Sequence, residues 1–411
     1  MVTTLCFGDG QSCELDVDRI SHLRAAPSRT LSDAEIVVRI RTALAEPIAY
    51  PPLAEASVPG DRVVVAIGPG VASNLAIVEG ALAALRDAGV ESSLISLVVP
   101  TGFAGAELRE KLSNLGGADG FVTVHDPDAP GSTAMLGVTR AGQAIRLNRQ
   151  LCNADLVLSI GAASTDHGTS FNGWFPHFSD RETISRLDAP LAHDAKSLRD
   201  ARTQEVAEAA WLLGVGMLVE IVPGPGGSIV QVLAGESATV TAKSQQLYRE
   251  IWSCTPVSSA DLVIATLVGG PSEQTWKNLG RALGAAAPLL SEDASIAIYS
   301  ELSDSPGKAF ESLVGNEDYD LADREIMRAG LDDSWSAWQL CRALRHGPVY
   351  MRSHLPDQVV ESLGITPIAM DDELERLACA HDHTIVLEEA QHLLPIQPCA
   401  ANGSFAAAPG I

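Results

Sequence analysis

Residues 61–102 read DRVVVAIGPGVASNLAIVEGALAALRDAGVESSLISLVVPTG, and their alternation decides the fold class. DRVVVAIGPG is a continuous apolar run with no polar face, so it reads as a strand buried on both sides and delivered into a glycine turn. ASNLAIVEGALAALRDAGV follows as an alanine-rich helix closed by Gly89, and SSLISLVVPTG is a second buried strand. Strand, turn, helix and strand in this order predict a parallel sheet with helices on both faces.

The same alternation extends in both directions. Upstream, TLCFGDG and SCELDV form a strand pair turned at Gly-Asp-Gly, and LSDAEIVVRIRTALAEP is a helix capped by Ser32 or Asp33 and stopped at Pro47. Downstream come the helix AELREKLSNLGG, the strand FVTVHD, the hairpin-like TRAGQAIRLN and the strand ADLVLSIGAAS. The helix EVAEAAWLLGV then precedes MLVEIVP and SIVQVLAGE, an antiparallel hairpin at one sheet edge. From about residue 250 the pattern restarts: ADLVIATLVGGP, KNLGRALGAAAPL, ASIAIYSEL, PVYMRSHL, GITPIAM and HTIVLEE. The expectation is an α/β protein of two domains, each with a mainly parallel sheet flanked by helices and a cleft between them. Residues 1–245 form the first domain, 246–395 the second and 396–411 a tail, with a hinge near 236–255.

Composition narrows the function classes. With 52 acidic against 28 basic residues the net charge is −24, a surface that repels phosphate backbones and anionic lipid. Nucleic acid and membrane are therefore excluded as partners, and a small-molecule substrate is expected, in a monomer or homodimer. Seven scattered cysteines without a CxxC pair indicate buried thiols in a reducing compartment. No apolar stretch reaches the roughly 20 residues that span a bilayer, and no signal peptide is evident, so a cytoplasmic location is expected.

Open parallel sheets bind ligands at the carboxyl ends of their strands. That selects GPGVASN (68–74), PTGFAG (100–105), HDPDAPG (125–131), DHGTSFNGWFPHFSD (166–180) and VGGPSEQ (268–274). None is a GxGxxG or P-loop motif. The fourth loop carries most of the chemistry. Asp166 and His167 sit just past a buried strand, and His167 is the candidate acid/base. Ser170 and Asn172 offer hydrogen bonds to a polar ligand. Trp174, beside Phe175 and Pro176, reads either as a stacking platform or as the core that anchors the loop. His167, His177 and His193 with Asp166 and Asp188 make a conceivable N/O ligand set for nickel or zinc, although His177 and His193 also read as solvated loop histidines. His125 at a strand end is a catalytic candidate or a structural ring bonding a loop carbonyl. Arg281 is a carboxylate clamp or a helix charge paired with a nearby Glu, and Lys277 could neutralise an anion.

The order of these loops resembles the nickel-pincer lactate racemases nearly end to end. The resemblance is carried by FGDG, ALAEPIAYPPL, PTG, VHD, LGVTRAGQAIRLNRQLCNADLVLSIG, VGGP ahead of a basic helix, and GPVYMRSHLPDQVVESLGITP. It implies that fold and a nickel ion held by a pincer mononucleotide, with two histidines alternating as acid and base on a 2-hydroxy acid. The functional positions depart from the family pattern. GPGVASN has Pro69 and Ala72 in place of the Asp and Arg of a DxTRP-like motif, and TGFAG has Ala104 and Gly105 where TGTHR has its histidine. In the loop resembling HxxxGFSGGxK, Trp174 or its neighbours stand where the tethering lysine belongs. TISRLD reaches Asp188 where a nickel-ligating histidine is expected, and Asn278 and Arg281 replace a Gln and a Lys. Thr101, Gly102 and a stacking Trp174 are what the resemblance leaves for the cofactor.

Three functions follow as expectations. The first is a lactate-racemase-like isomerase, epimerase or lyase that moves a proton on a small hydroxy-acid-like anion without a covalent pincer. The second is a 2-hydroxy acid racemase or epimerase with a non-covalently bound nickel-pincer nucleotide. The third is a non-catalytic metabolite-binding protein.

Overall fold

The structure is a computed structural model that describes residues 2–17, 19–71, 75–101, 110–112, 114–115, 121–164, 173–189, 196–215, 217–256 and 258–396. The chain divides into two compact units, Ser28–Leu187 with Leu191–Arg249, and Met1–Pro27 with Asp188–Pro190 and Glu250–Ile411. Both are α/β units built on mainly parallel six-stranded sheets.

In the first unit the strands are Val63–Ile67, Ile95–Pro100, Val122–His125, Leu156–Ala162, Met217–Gly224 and Ser228–Glu236. Counted in chain order within this sheet they lie 3-2-1-4-5-6, and only the last runs antiparallel, hairpinned onto the fifth. The buried run expected at the centre is the central strand: all five residues of Val63–Ile67 are buried. Its side chains alternate with the pleat. Val63, Val65 and Ile67 join a core containing Ile36, Ile40, Leu44 and the helix Leu75–Asp87. Val64 and Ala66 face an opposite core that holds Trp174, Phe175 and Phe178. Each fully buried side chain of this size contributes roughly 1.5–3 kcal/mol.

Ser32, not Asp33, caps the helix Asp33–Ala45: its side chain accepts from Glu35 N while Glu35 reaches back to Ser32 N. The hairpin Thr133–Val138 with Ala144–Asn148 forms a separate antiparallel pair. The helix expected over AELREKLSNLGG falls largely outside the described residues.

In the second unit five strands, Ala260–Thr266, Leu290–Tyr299, Val349–Arg352, Thr366–Pro367 and Thr384–Leu387, are the ones the sequence pattern indicates. The sixth is Ile20–Leu23, which pairs parallel with Thr384–Leu387 at the sheet edge. Residues 1–27, assigned by the pattern to the first domain, therefore group with the C-terminal unit. Strand pairing across so long a separation leaves no local periodicity to read; here it is supported by His22 Nδ1 at 2.8 Å from Glu388. The N-terminal pair Val2–Phe7 and Gln11–Asp16 belongs to this unit too, with Leu5, Phe7, Cys13 and Leu15 packed on Leu262, Ile264 and Tyr299. Among the described residues no helix is long and apolar enough to cross a membrane.

Candidate functional site

The first unit's strand order reverses between its first and fourth strands, so the crevice at their carboxyl ends is where the topology favours a ligand. Gly68, Pro69 and Gly70 leave the first strand there. Ala163 and Ser164 leave the fourth and lead toward residues 165–172, which lie outside the described residues together with Asp166, His167, Ser170 and Asn172. The chain returns at Gly173 against the same strand. A Cβ on Gly173 would lie 2.6 Å from Gly161 Cα, and one on Gly68 would lie 2.0 Å from Gly173 O. Only glycine permits this three-way backbone approach, and at Gly173 φ is also +69°.

From Gly173 the segment is sewn onto the sheet. Trp174, Phe175 and Phe178 are all 0% exposed and wedge beneath it. Asn148 N donates to Phe178 O at 2.7 Å, and Leu147 bridges Ser179. His125, 2% exposed at the end of the third strand, lies 2.8 Å through Nε2 from Ser179 O and 3.2 Å through Nδ1 from Asn148 Nδ2. The amide of Asn148 is a donor, so Nδ1 accepts and Nε2–H donates, which sets a neutral tautomer. Burial pushes the ring's pKa below its ordinary value, in keeping with that neutral form. Thr101 Oγ1 donates to His125 O at 2.9 Å. His125 thus serves here as a structural pin that bonds a loop carbonyl, one of the two roles open to it from sequence.

Above this pin lies a cleft of about 560 Å³. Pro69, Thr101 and Asp126 come from the ends of the first three strands, and His177 and Arg181 from the segment that follows Gly173, with Val124 and Ile184 supplying apolar surface. His177 is half-buried. The Arg181 fork holds Asp128 at 2.6 and 3.2 Å. A cleft lined by a half-buried imidazole, a guanidinium and apolar side chains suits a small polar molecule that exchanges a proton. Arg181 was missed from sequence because it follows the loop it serves as an ordinary helix charge.

Trp174 was expected on one reading to stack on a ligand. The structure corrects this: its ring is enclosed in the core, tilted against Phe175 with centroids 5.6 Å apart, and presents no open face. Gly102 and His193 lie outside the described residues.

The remaining candidates belong to the other unit. Thr275 caps the helix Trp276–Ala286, turning Asn278 inward. Asn278 Nδ2 donates to Glu273 O and Oε2, both at 2.8 Å, and its Oδ1 accepts from Arg281 Nη1 at 2.7 Å. Burial raises the Glu273 pKa, while the positive Arg281 and the Asn278 bond oppose it. Arg281 is accordingly a helix charge facing a nearby glutamate. Lys277 Nζ lies 3.3 Å from Asp188 Oδ1, which couples two candidates that sequence left apart.

Among the described residues these groups do not fit a nickel pincer. The 165–180 stretch contains no lysine, its Trp174 is core, and Asp188 is engaged by Lys277. Among the described residues no group of three or more His, Cys, Asp or Glu could hold a metal.

Residues 9–184 match the lactate racemase N-terminal domain family. That match covers 176 of the chain's 411 residues, so the N-terminal part of the chain is similar to that domain. The lactate racemase apoprotein from Thermoanaerobacterium thermosaccharolyticum superposes with a TM-score of 0.74 at 18% identity, covering 96% of this chain and 100% of that one. A Thermotoga maritima protein solved by structural genomics gives 0.64 at 11% identity, covering 91% and 100%. No curated protein sequence matches. At these identities the superpositions establish the lactate-racemase-like fold, and the activity has to be argued from the site.

Proposed function

We propose that this chain is a divergent lactate-racemase-like enzyme of the cytoplasm that moves a proton on a small hydroxy-acid-like anion, as an isomerase, epimerase or lyase, without a covalently held nickel pincer. The observation that carries the reading is the cleft at the carboxyl edge of the first unit's sheet, which His177 and Arg181 both line. Arg181, its fork already on Asp128, would add positive charge near the substrate carboxylate. His177, with His167 from the same loop, would take and return the proton. Asp126, also lining the cleft, would hold a substrate hydroxyl. The apolar contacts of Val124 and Ile184 would keep water from the reacting carbon.

The test incubates the protein with 2-hydroxy acids in D₂O and follows deuterium entering at C2 by NMR, beside nickel analysis and intact mass of protein made with and without the pincer-synthesis machinery. Exchange that is lost in His167→Gln or His177→Gln, with unchanged mass, supports the reading. Racemisation without exchange, together with stoichiometric nickel, replaces it with a non-covalent pincer enzyme. Saturable binding of a hydroxy acid with neither exchange nor turnover replaces it with a binding protein.

A further inference from the structure

The second unit holds a cavity that the proposed activity does not use. It is about 240 Å³ and lies between the helix Trp276–Ala286, the strand Leu290–Tyr299 and the helix Ser334–His346. Leu283, Leu290, Ile296 and Ala343 give it an apolar floor. Gln339, Arg342, Ala343 and His346 recur at helical spacing, so one helix face lines the cavity.

Two of these residues offer polar groups to the cavity. Gln339 is 7% exposed, yet among the described residues its amide makes no hydrogen bond while it borders the cavity. Its amide is therefore available to a polar group that enters the cavity. Arg342 makes no ion pair among the described residues; its guanidinium lies 4.8 Å from the Trp338 ring centroid. Arg342 is exposed, so water solvates it, and its charge stands at the mouth of the cavity. Its neighbours are satisfied: Arg345 pairs with Asp320 at 3.0 Å, and His346 Nε2 lies 2.8 Å from Ser291 O.

We propose that this cavity binds a short aliphatic monocarboxylate, its tail on the Leu283–Ile296 floor and its carboxylate between the Arg342 guanidinium and the Gln339 amide. The guanidinium is positive and donor-only, which selects an anion over a cation; the Gln339 amide can turn its Nε2–H to the carboxylate, and the apolar floor selects an aliphatic acid over inorganic phosphate.

The experiment is calorimetric titration of the full chain with butyrate, using butylamine and phosphate as controls. Expected is saturable butyrate binding, weakened about tenfold in Arg342→Ala and in Gln339→Leu, with no binding of butylamine. Arg342 is exposed, so its variant keeps the fold, and Arg342→Lys should restore part of the affinity. Absence of saturation, butyrate binding that neither variant changes, or equal binding of butylamine each overturns the proposal. Phosphate binding as tightly as butyrate would do the same, by removing any role for the floor. The readout is binding sensitive to Arg342, so it stands or falls separately from proton transfer at His167 and His177.

Discussion

Replacing Gly173 by alanine tests how the segment from Gly173 to Asp180 is held. Its φ of +69° lies in the left-handed region, where a Cβ costs roughly 1–2 kcal/mol. The new Cβ would also stand 2.6 Å from Gly161 Cα and 3.2 Å from Ile160 O. These are backbone atoms of a central strand, so they cannot yield as a side chain can, and overpacking of this kind costs roughly 1–3 kcal/mol more. The sum, about 2–5 kcal/mol, is a large share of a typical domain's stability of about 5–15 kcal/mol. Gly89 supplies the control: its φ is +87° but nothing lies within 4 Å of the added Cβ, so Gly89→Ala should show the conformational part alone. Urea unfolding followed by circular dichroism would measure both. Gly173→Ala should lose clearly more than Gly89→Ala, and any activity assigned to the cleft should fall with it. A Gly173 variant no less stable than the Gly89 variant would refute the close approach, and with it the account of how His177 and Arg181 are placed.

Other outcomes follow from buried titratable groups and from the core. Glu220 is 4% exposed, bonded by Ser244 and by Thr241 Oγ1 at 3.1 Å, and burial raises its pKa above 4.5. The folded state then holds its proton longer than the unfolded chain, so stability falls as pH rises above 4.5; Glu220→Gln should flatten that decline in urea midpoints taken across the range. His125 behaves oppositely. With its folded pKa lowered below 6.5, its contribution is complete above that pH and is lost as pH falls below it, so His125→Gln should shallow the acid limb of the same curve. Trp174→Lys should yield unfolded protein, because it strands a charge in the core; a folded variant carrying a covalent adduct by intact mass would contradict the packing described here. Asp188→Asn should cost only about 0.2–1 kcal/mol, an effect erased by salt, since its pair with Lys277 is partly exposed.

Much of the architecture was legible because strand and helix periodicities are local. VVVAI announces a two-faced strand by having no polar side, and the MLVEIVP–SIVQVLAGE hairpin is marked by its GPGG turn. Ile20–Leu23 was not legible: it is short, and its partner Thr384–Leu387 is determined only when the chain closes on itself. The site divides along the same line. His125 and Trp174 were visible as conspicuous residues in a strand-end loop, but whether each faced a ligand or the core depended on packing. Arg181, Asn148 and Gln339 carried no motif at all.

By itself, then, the sequence determined the α/β class, the strand–turn–helix order, the net charge of −24 and the absence of a lysine from the 165–180 loop. Tertiary structure alone decided that Trp174 is core, that His125 is a neutral pin and that Lys277 neutralises Asp188. The reason is physical. Periodicity and charge are summed over neighbours along the chain, whereas burial and the hydrogen-bond partners of a single side chain are set by groups distant in sequence.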